Sequence, residues 1–434
     1  MFGVWIKNFG CQTNDYDASK ILTLLQGIGY CRVGAPEEAH LIILNTCHVR
    51  EKATEKVFSD LGRLRPLKAG PLAPKILVTG CVAKALGPAV QKRAPWVDFV
   101  VAPQEMHRIP ALLQASLRAH PLEEDICPSA PPPSSPTALL VVQEGCDHRC
   151  SYCVVPFTRG RAFSRPVAVV LEEAQTLLQQ GAREITLVGH NVNMYAGEDA
   201  SGELCDFSSL VLRIAALPTI QRLRYMTSHP QYMTPSLLQA HRELPVLMPF
   251  VHLPVQSGSD SVLQAMGRPY TRAQYLETLE KLRVERPDIA ISSDFIVGFP
   301  GETEEDFLET LSLVQEVSYA QFYAFKYSPR PGTRAASLSA QVPEGVKEER
   351  LARLLEVLND QQRAFNRRSL HQTVEALMEK PGRKPGEITG RTPHAQPVVV
   401  QAPPSVIGSC LPVHITHVLA HSLRGALIVD KAPG

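Results

Sequence analysis

Residues 138–153 read Ala138-Leu139-Leu140-Val141-Val142-Gln143-Glu144-Gly145-Cys146-Asp147-His148-Arg149-Cys150-Ser151-Tyr152-Cys153. A strand-sized apolar run, 138–142, delivers the chain to a loop carrying three cysteines at CxxxCxxC spacing. Three thiolates on one loop can hold three irons of a 4Fe-4S cluster and leave the fourth iron open, which makes the site reactive rather than structural. Zinc is the competing ligand. A structural zinc, however, is closed by four Cys/His ligands, and His148, between Cys146 and Cys150, is badly placed to complete a tetrahedron with them. A disulfide is also compatible with the spacing alone.

Strand-and-helix units recur downstream, with apolar strands at 184–188, 223–226, 250–253, 290–297 and 321–325. With 138–142 they make six units, which predicts a partial (β/α)6 barrel over 137–370, with chemistry on the loops after the strand C-termini. Three of those loops are polar and glycine-containing: Gly189-His190-Asn191-Val192-Asn193, Pro254-Val255-Gln256-Ser257-Gly258-Ser259 and Gly298-Phe299-Pro300-Gly301-Glu302. Glycine lets a backbone approach a cofactor closely, though each loop alone also fits an ordinary strand-to-helix turn. A helix over 343–370 closes the barrel domain. Residues 371–434 then read as a small β unit with strands at 374–378, 397–401, 412–419 and 425–429, an OB-like barrel by its short strands. Six Lys/Arg against four Asp/Glu give this tail a modest basic bias, which suits RNA and equally suits a solvated face.

Upstream, residues 1–118 alternate strands at 4–8, 40–45 and 75–79 with helices, the pattern of an open parallel α/β sheet. A cysteine follows each strand: Cys11, Cys47 and Cys81. Parallel strands bring all three to the carboxyl edge, where such sheets bind ligands, so the three can converge as a second metal-ligand set. The plainer reading is three separate buried thiols. Cys31, Cys127, Cys205 and Cys410 fall outside both sets and read as structural or incidental. Between the first two domains, 119–136 includes Pro-Ser-Ala-Pro-Pro-Pro-Ser-Ser-Pro at 128–136, a stiff linker.

Ten cysteines in 434 residues are too few for a disulfide scaffold, and the N-terminus lacks a charged segment leading to an apolar core and a small-residue cleavage site. Both features predict a reducing, cytoplasmic setting without a signal peptide. The longest apolar runs, 41–44 and 138–142, are strand-sized, so no membrane span is expected. Lys+Arg 44 against Asp+Glu 43 leaves a net charge of +1, so nucleic-acid binding must come from a local patch.

The CxxxCxxC loop and the Val155-Pro156-Phe157-Thr158-Arg159-Gly160 that follows resemble the radical S-adenosylmethionine (SAM) enzymes. The chain as a whole resembles their methylthiotransferase family, with a methylthiotransferase N-terminal domain, a radical SAM domain and a C-terminal TRAM domain. Three further segments are similar to the tRNA-acting, MiaB-type branch: Asn45-Thr46-Cys47-His48-Val49-Arg50-Glu51-Lys52-Ala53, the Gly-x-Asn-Val-Asn loop at Gly189, and His252-Leu253-Pro254-Val255-Gln256-Ser257-Gly258-Ser259. The resemblance implies methylthiolation at C2 of N6-isopentenyladenosine beside the anticodon of tRNA, giving 2-methylthio-N6-isopentenyladenosine. Threonylcarbamoyladenosine in tRNA and a ribosomal protein are the alternative substrates. It implies two 4Fe-4S clusters. One, on Cys146, Cys150 and Cys153, cleaves SAM to a 5′-deoxyadenosyl radical, with electrons from a donor such as flavodoxin or ferredoxin. The other, on Cys11, Cys47 and Cys81, holds the sulfur that is methylated by a further SAM and inserted. By the same likeness Tyr152 lies against the adenine of SAM, Gly189, His190, Asn191 and Ser257 meet its amino-acid and ribose parts, and Gly298 offers a backbone contact. Arg159, Arg161 and Arg165 suit phosphate or polarised sulfur, and Lys384 and Arg391 suit RNA phosphates. Two residues depart from the branch: His190 stands where Gln is expected, and Gly267 is an unusual choice in Met266-Gly267-Arg268.

Overall fold

The computed structural model describes residues 2–10, 12–47, 51–119 and 135–428. Cys11, Cys127, residues 48–50 of the Asn45–Ala53 segment and most of the expected linker lie outside them. The chain divides into two compact units. One holds the N-terminal residues together with Glu144–His148 and Val154–Ala162, and the other holds the rest from Ser134 onward.

In the first unit, β1 (Phe2–Asn8), α1 (Gln12–Gln26), β2 (Tyr30–Arg32), β3 (Leu41–Thr46), α2 (Glu51–Leu64), β4 (Lys75–Gly80), α3 (Cys81–Leu86), α4 (Ala89–Arg93), β5 (Phe99–Val101) and α5 (Ile109–Ala119) succeed one another. The strands form a parallel sheet in the order β2-β1-β3-β4-β5. All six residues of β3 are buried, as expected of a strand covered on both faces. Successive side chains point to opposite faces. Ile42, Leu44, Ile76 and Val78 accordingly pack with Val57 and Leu61 of α2, while Leu41, Ile43 and Leu77 pack with Ile21 and Leu25 of α1 and Leu113 of α5. The three expected strands are present. The two additional ones, β2 and β5, are three-residue edge strands, too short to show a periodicity. The strand order reverses between β1 and β3, and in open parallel sheets that reversal opens a crevice at the carboxyl ends.

The second unit contains the barrel strands β6 (Thr137–Val141), β7 (Glu184–Val188), β8 (Arg222–Tyr225), β9 (Phe250–His252), β10 (Ala290–Val297) and β11 (Gln321–Lys326). They form two parallel sheets, β8-β7-β6 and β9-β10-β11. Residues 246–248, just before β9, join them: Leu223 donates to Val246 O (2.7 Å) and accepts from Met248 N (2.9 Å). Helices α6 (Val167–Gln179), α7 (Phe207–Ala215), α8 (Pro235–Glu243), α9 (Asp260–Met266), α10 (Arg272–Glu285) and α11 (Glu304–Val317) intervene, and α12 (Glu344–Arg367) follows β11. Local chemistry sets their ends. Thr271 with Gln274 and Thr303 with Asp306 form reciprocal capping boxes at α10 and α11. Gly267 ends α9 at φ +74°, which accounts for a glycine there.

The tail strands β12 (Thr373–Pro381), β13 (Glu387–Arg391), β14 (Pro397–Gln401), β15 (Cys410–Val418) and β16 (Leu423–Leu427) close into a barrel in the order β12-β13-β14-β16-β15. Closure leaves no edge strand. Strand β13 was not among the expected strands, and Gly390 within it is there for room: a Cβ would come 2.5 Å from Leu377 O. Two arginines on β8 hold this barrel. Arg222, 1% exposed, donates to Arg391 O (2.7 Å), and Arg224 donates to Pro393 O (2.7 Å) and Thr392 O (2.9 Å) while pairing with buried Glu184 at 2.9 Å.

Candidate cluster sites and their surroundings

At the carboxyl edge of the N-terminal sheet, β3 and β4 run in register with Thr46 opposite Gly80, so Cys47 and Cys81 leave neighbouring strands side by side. Both thiols are buried and reduced. A polar lattice fixes the backbone around them. Asn14 donates to Asn45 Oδ1 (3.2 Å) and Thr46 O (3.0 Å), Asn45 donates back to Asn14 O (2.7 Å), and Val82 N donates to Thr46 Oγ1 (3.2 Å). This ties the first turn of α1 to the end of β3 and the start of α3. The chain after β1 comes in equally close, since a Cβ on Gly10 would lie 2.6 Å from the Cys47 Cβ. Gly10 immediately precedes Cys11. Two thiols at one sheet edge, with a third cysteine next in sequence to a residue close to Cys47, fit a thiolate-held iron–sulfur group.

The segment after the third cysteine of the CxxxCxxC loop bears on the same edge. Val155–Thr158 forms a single helical turn, and Arg159 N donates to Val155 O (2.8 Å). The Arg159 side chain is 2% exposed and pairs with Asp17 of α1, Nη2 to Oδ2, at 2.7 Å. Burial works against its charge, but Asp17 and the Cys81 sulfur beside it outweigh that and hold the guanidinium more firmly protonated than in water. The other two arginines of this stretch lie elsewhere. Arg161 is exposed near Asp147 (3.5 Å), and Arg165 is locked between Val141 O (2.6 Å) and Glu173 (2.5 Å) as a structural clamp.

In the CxxxCxxC loop, Gly145 has φ +69° and a Cβ there would meet Arg161 O at 2.0 Å, so only glycine fits before Cys146. Ser151 is pinned to the end of α9, N to Met266 O (2.8 Å) and Oγ to Ala265 O (2.9 Å). Next to it, Arg268 brings Nη1 to 3.7 Å from Cys150 Sγ, donates from Nη2 to Pro254 O (2.9 Å) and from Nε to the Tyr270 hydroxyl (2.8 Å). Tyr152 packs with Met266, Phe299 and Tyr327. Burial raises its pKa well above the usual phenol range, Arg268 opposes that, and Cys150 and Cys153 add to it. Cys146, Cys150 and Cys153 are all reduced and partly exposed. Among the described residues no three His, Cys, Asp or Glu side chains stand together at metal-holding distance. The donor set nonetheless has the chemistry for iron–sulfur ligation, three thiols on one short loop with a cation at hand for thiolate charge.

The remaining expected residues surround the strand ends of the barrel. Gly189 is required by close approach, a Cβ there lying 2.9 Å from Gln143 O. Gln143 Oε1 accepts from His190 N (3.0 Å) and Asn191 N (3.1 Å), so a residue the sequence did not single out shapes this loop. Asn191 is 3% exposed and, among the described residues, neither polar atom of its side chain has a hydrogen-bond partner, which suits a polar ligand. Ser257 is buried, and its hydroxyl bonds Thr310 Oγ1 (3.2 Å) and accepts from Ser259 N (3.2 Å), contacts that hold the loop. Gly298 sits at φ +67° with its N–H given to Glu302 (2.7 Å). Two non-glycine residues after barrel strands, Thr227 (φ +62°) and Gln256 (φ +78°), carry the backbone strain typical of functional loops. A cavity of about 200 Å³ lined by Asn193, Tyr195, Phe207 and Tyr232 holds none of these groups and is left out of the site.

With this geometry in hand, comparison with known families assigns the three parts. Residues 3–102 match the uncharacterized protein family UPF0004, 140–314 the Radical SAM superfamily, and 367–428 the TRAM domain. The central part is therefore a radical SAM domain, a class that implies a 4Fe-4S cluster and SAM. Among solved structures, the radical SAM methyltransferase TsrM from Kitasatospora setae, with cobalamin and a [4Fe-4S] cluster bound, shares the fold at TM-score 0.57 and 15% identity over 77% of each chain. The cobalamin-dependent SAM radical enzyme OxsB does so at TM-score 0.52 and 13% identity, over 83% of this chain and 56% of that one. Among the described residues no helix is long and apolar enough to cross a membrane.

Proposed function

We propose that the chain is a tRNA methylthiotransferase that converts N6-isopentenyladenosine beside the anticodon to its 2-methylthio derivative. The observation that carries the reading is the pairing of Cys47 and Cys81 at one sheet edge, in a chain that also bears the CxxxCxxC loop and a closed β-barrel tail. A methyl transfer alone needs no second thiolate site, whereas insertion of sulfur does. Position 2 of adenine is an unactivated C–H, and when bound a 4Fe-4S cluster supplies the electron that cleaves SAM and opens a radical route to it.

The chain's own residues divide the work. Cys146, Cys150 and Cys153 hold the SAM-cleaving cluster, with Arg268 steadying the charge at Cys150. Tyr152, Gly189, His190, Asn191 and Gly298 line the SAM side, Asn191 with its unsatisfied amide, and Ser257 braces the loop opposite. Cys11, Cys47 and Cys81 hold the second cluster. Lys380, Arg383 and Lys384, all exposed on the tail, meet RNA phosphates. The target base must leave the anticodon-loop stack to reach the site, and an apolar pocket reads the isopentenyl group.

The test incubates the reduced, iron-loaded protein with SAM and tRNA carrying or lacking the isopentenyl group, then weighs the nucleosides. A mass gain confined to the isopentenylated tRNA is expected. Equal reaction of both tRNAs, or reaction only with threonylcarbamoylated tRNA or a ribosomal protein, overturns the substrate assignment.

A further inference from the structure

Among the described residues the buried Arg159 guanidinium has more donors than oxygen or nitrogen acceptors: Nη2 serves Asp17, Nε and Nη1 meet no oxygen or nitrogen, and the side chain it also hydrogen-bonds is that of Cys81. A guanidinium is a rigid fork of five N–H groups that stays charged, and leaving its donors unmet in the interior costs far more than a surface position would. Nothing in the ion pair with Asp17 requires that orientation, since one nitrogen suffices for it. The group beside the fork is Cys81. A neutral thiol is a weak acceptor, whereas a thiolate or sulfide accepts charge-assisted bonds well. A segment that belongs by sequence to the CxxxCxxC region thus ends, through one helical turn, with a cation fixed at the other cysteine set.

We infer that Arg159 is a positioning residue for anionic sulfur at the Cys81 edge, its spare N–H groups hydrogen-bonding the sulfur atoms of the cluster that Cys11, Cys47 and Cys81 hold. The inference rests on the second-cluster reading above. Hydrogen bonds to cluster sulfurs stabilise the reduced, more negative state and so raise the reduction potential. A purely structural Arg159, tethering its segment to α1 through Asp17, would leave the potential unmoved.

The test uses the full-length chain with Cys146, Cys150 and Cys153 replaced by Ala, reconstituted anaerobically with iron and sulfide so that only the second cluster reports. Arg159→Lys keeps a cation for Asp17 but loses the fork. Iron content is expected to hold, while the reduced-to-oxidised ratio at the parent's midpoint falls several-fold by spectroelectrochemistry. The double variant Arg159→Gln with Asp17→Asn swaps the ion pair for an amide pair and is expected to lower that ratio about tenfold, ~59 mV for a one-electron couple. A parent that binds no iron sinks the second-cluster reading and the inference with it. Iron-loaded variants with the parent's ratio sink the inference alone, and loss of fold in both variants makes Arg159 a structural tether and overturns it too.

Discussion

Gly80 stands at the last position of β4 with φ +87°, and a Cβ there would come 2.2 Å from Thr46 O. With ψ at −164° this is an essentially glycine-only backbone conformation that costs other residues roughly 1–3 kcal/mol, and backbone contact this close adds to it. Gly80→Ala is therefore expected to destabilise the N-terminal unit by about 3 kcal/mol in urea titrations and to lower iron at the second site, because Thr46 and Cys81 must move apart. Another single residue sets a pH response. Burial, with Arg286 adding to it, pushes the His241 pKa down to about 3, and its Nε2 lies 2.6 Å from the Tyr225 hydroxyl. The unfolded chain titrates this imidazole near its ordinary 6.5. Above that value both states are neutral and the residue is indifferent to pH. As pH falls from 6.5 toward 3 only the unfolded state takes up the proton, so stability is lost at up to ~1.4 kcal/mol per unit. His241→Gln should flatten the acid limb of a urea-midpoint profile, and an unaltered slope would refute the assignment.

At the scale of elements, β8 does two jobs, one strand in the barrel wall and a docking rail for the tail. Arg224 and Glu184 are both nearly fully buried, 4% and 3% exposed, so removing one partner strands the other's charge. Arg224→Met should cost ~3–5 kcal/mol and loosen the tail, seen as faster proteolysis near residue 370. The double change Arg224→Met with Glu184→Leu should recover much of that loss. This docking was illegible in the sequence, because the carbonyls that Arg222 and Arg224 meet lie 168 or 169 positions further along the chain. The six barrel strands were legible because strand-sized, mostly apolar runs recur between helical stretches, and the meeting of Cys47 and Cys81 because parallel strands align whatever follows them. Strands β2 and β5 were missed for want of length, at three residues each. Gln143 and Arg268 gave no signal, since what they do depends on loops far along the chain. Arg159 stood out beside Arg161 and Arg165 as suited to phosphate or polarised sulfur, but its carboxylate partner, Asp17, lies 142 positions away and was not readable.

For the whole molecule, a net charge of +1 leaves no general field to draw RNA in. Affinity must then come from patches such as Lys380, Arg383 and Lys384. Replacing all three by Ala should weaken tRNA binding and reduce the slope of log K against log salt by up to roughly 3, with the iron content of the reconstituted protein unchanged. An unchanged slope would place the RNA elsewhere. Deleting the tail is the poorer experiment, because it uncovers Arg222 and Arg224 and damages the barrel for reasons unrelated to RNA.

The assignment of Val154–Ala162 to the N-terminal unit has a practical consequence for recombination. A chimera cut at the proline-rich linker, the obvious joint between two genes, would take Asp17 from one parent and Arg159 from the other. Nine residues from inside the radical SAM sequence have to travel with the N-terminal domain if the hybrid is to inherit an intact pair, so the exchangeable module is not a continuous stretch of chain.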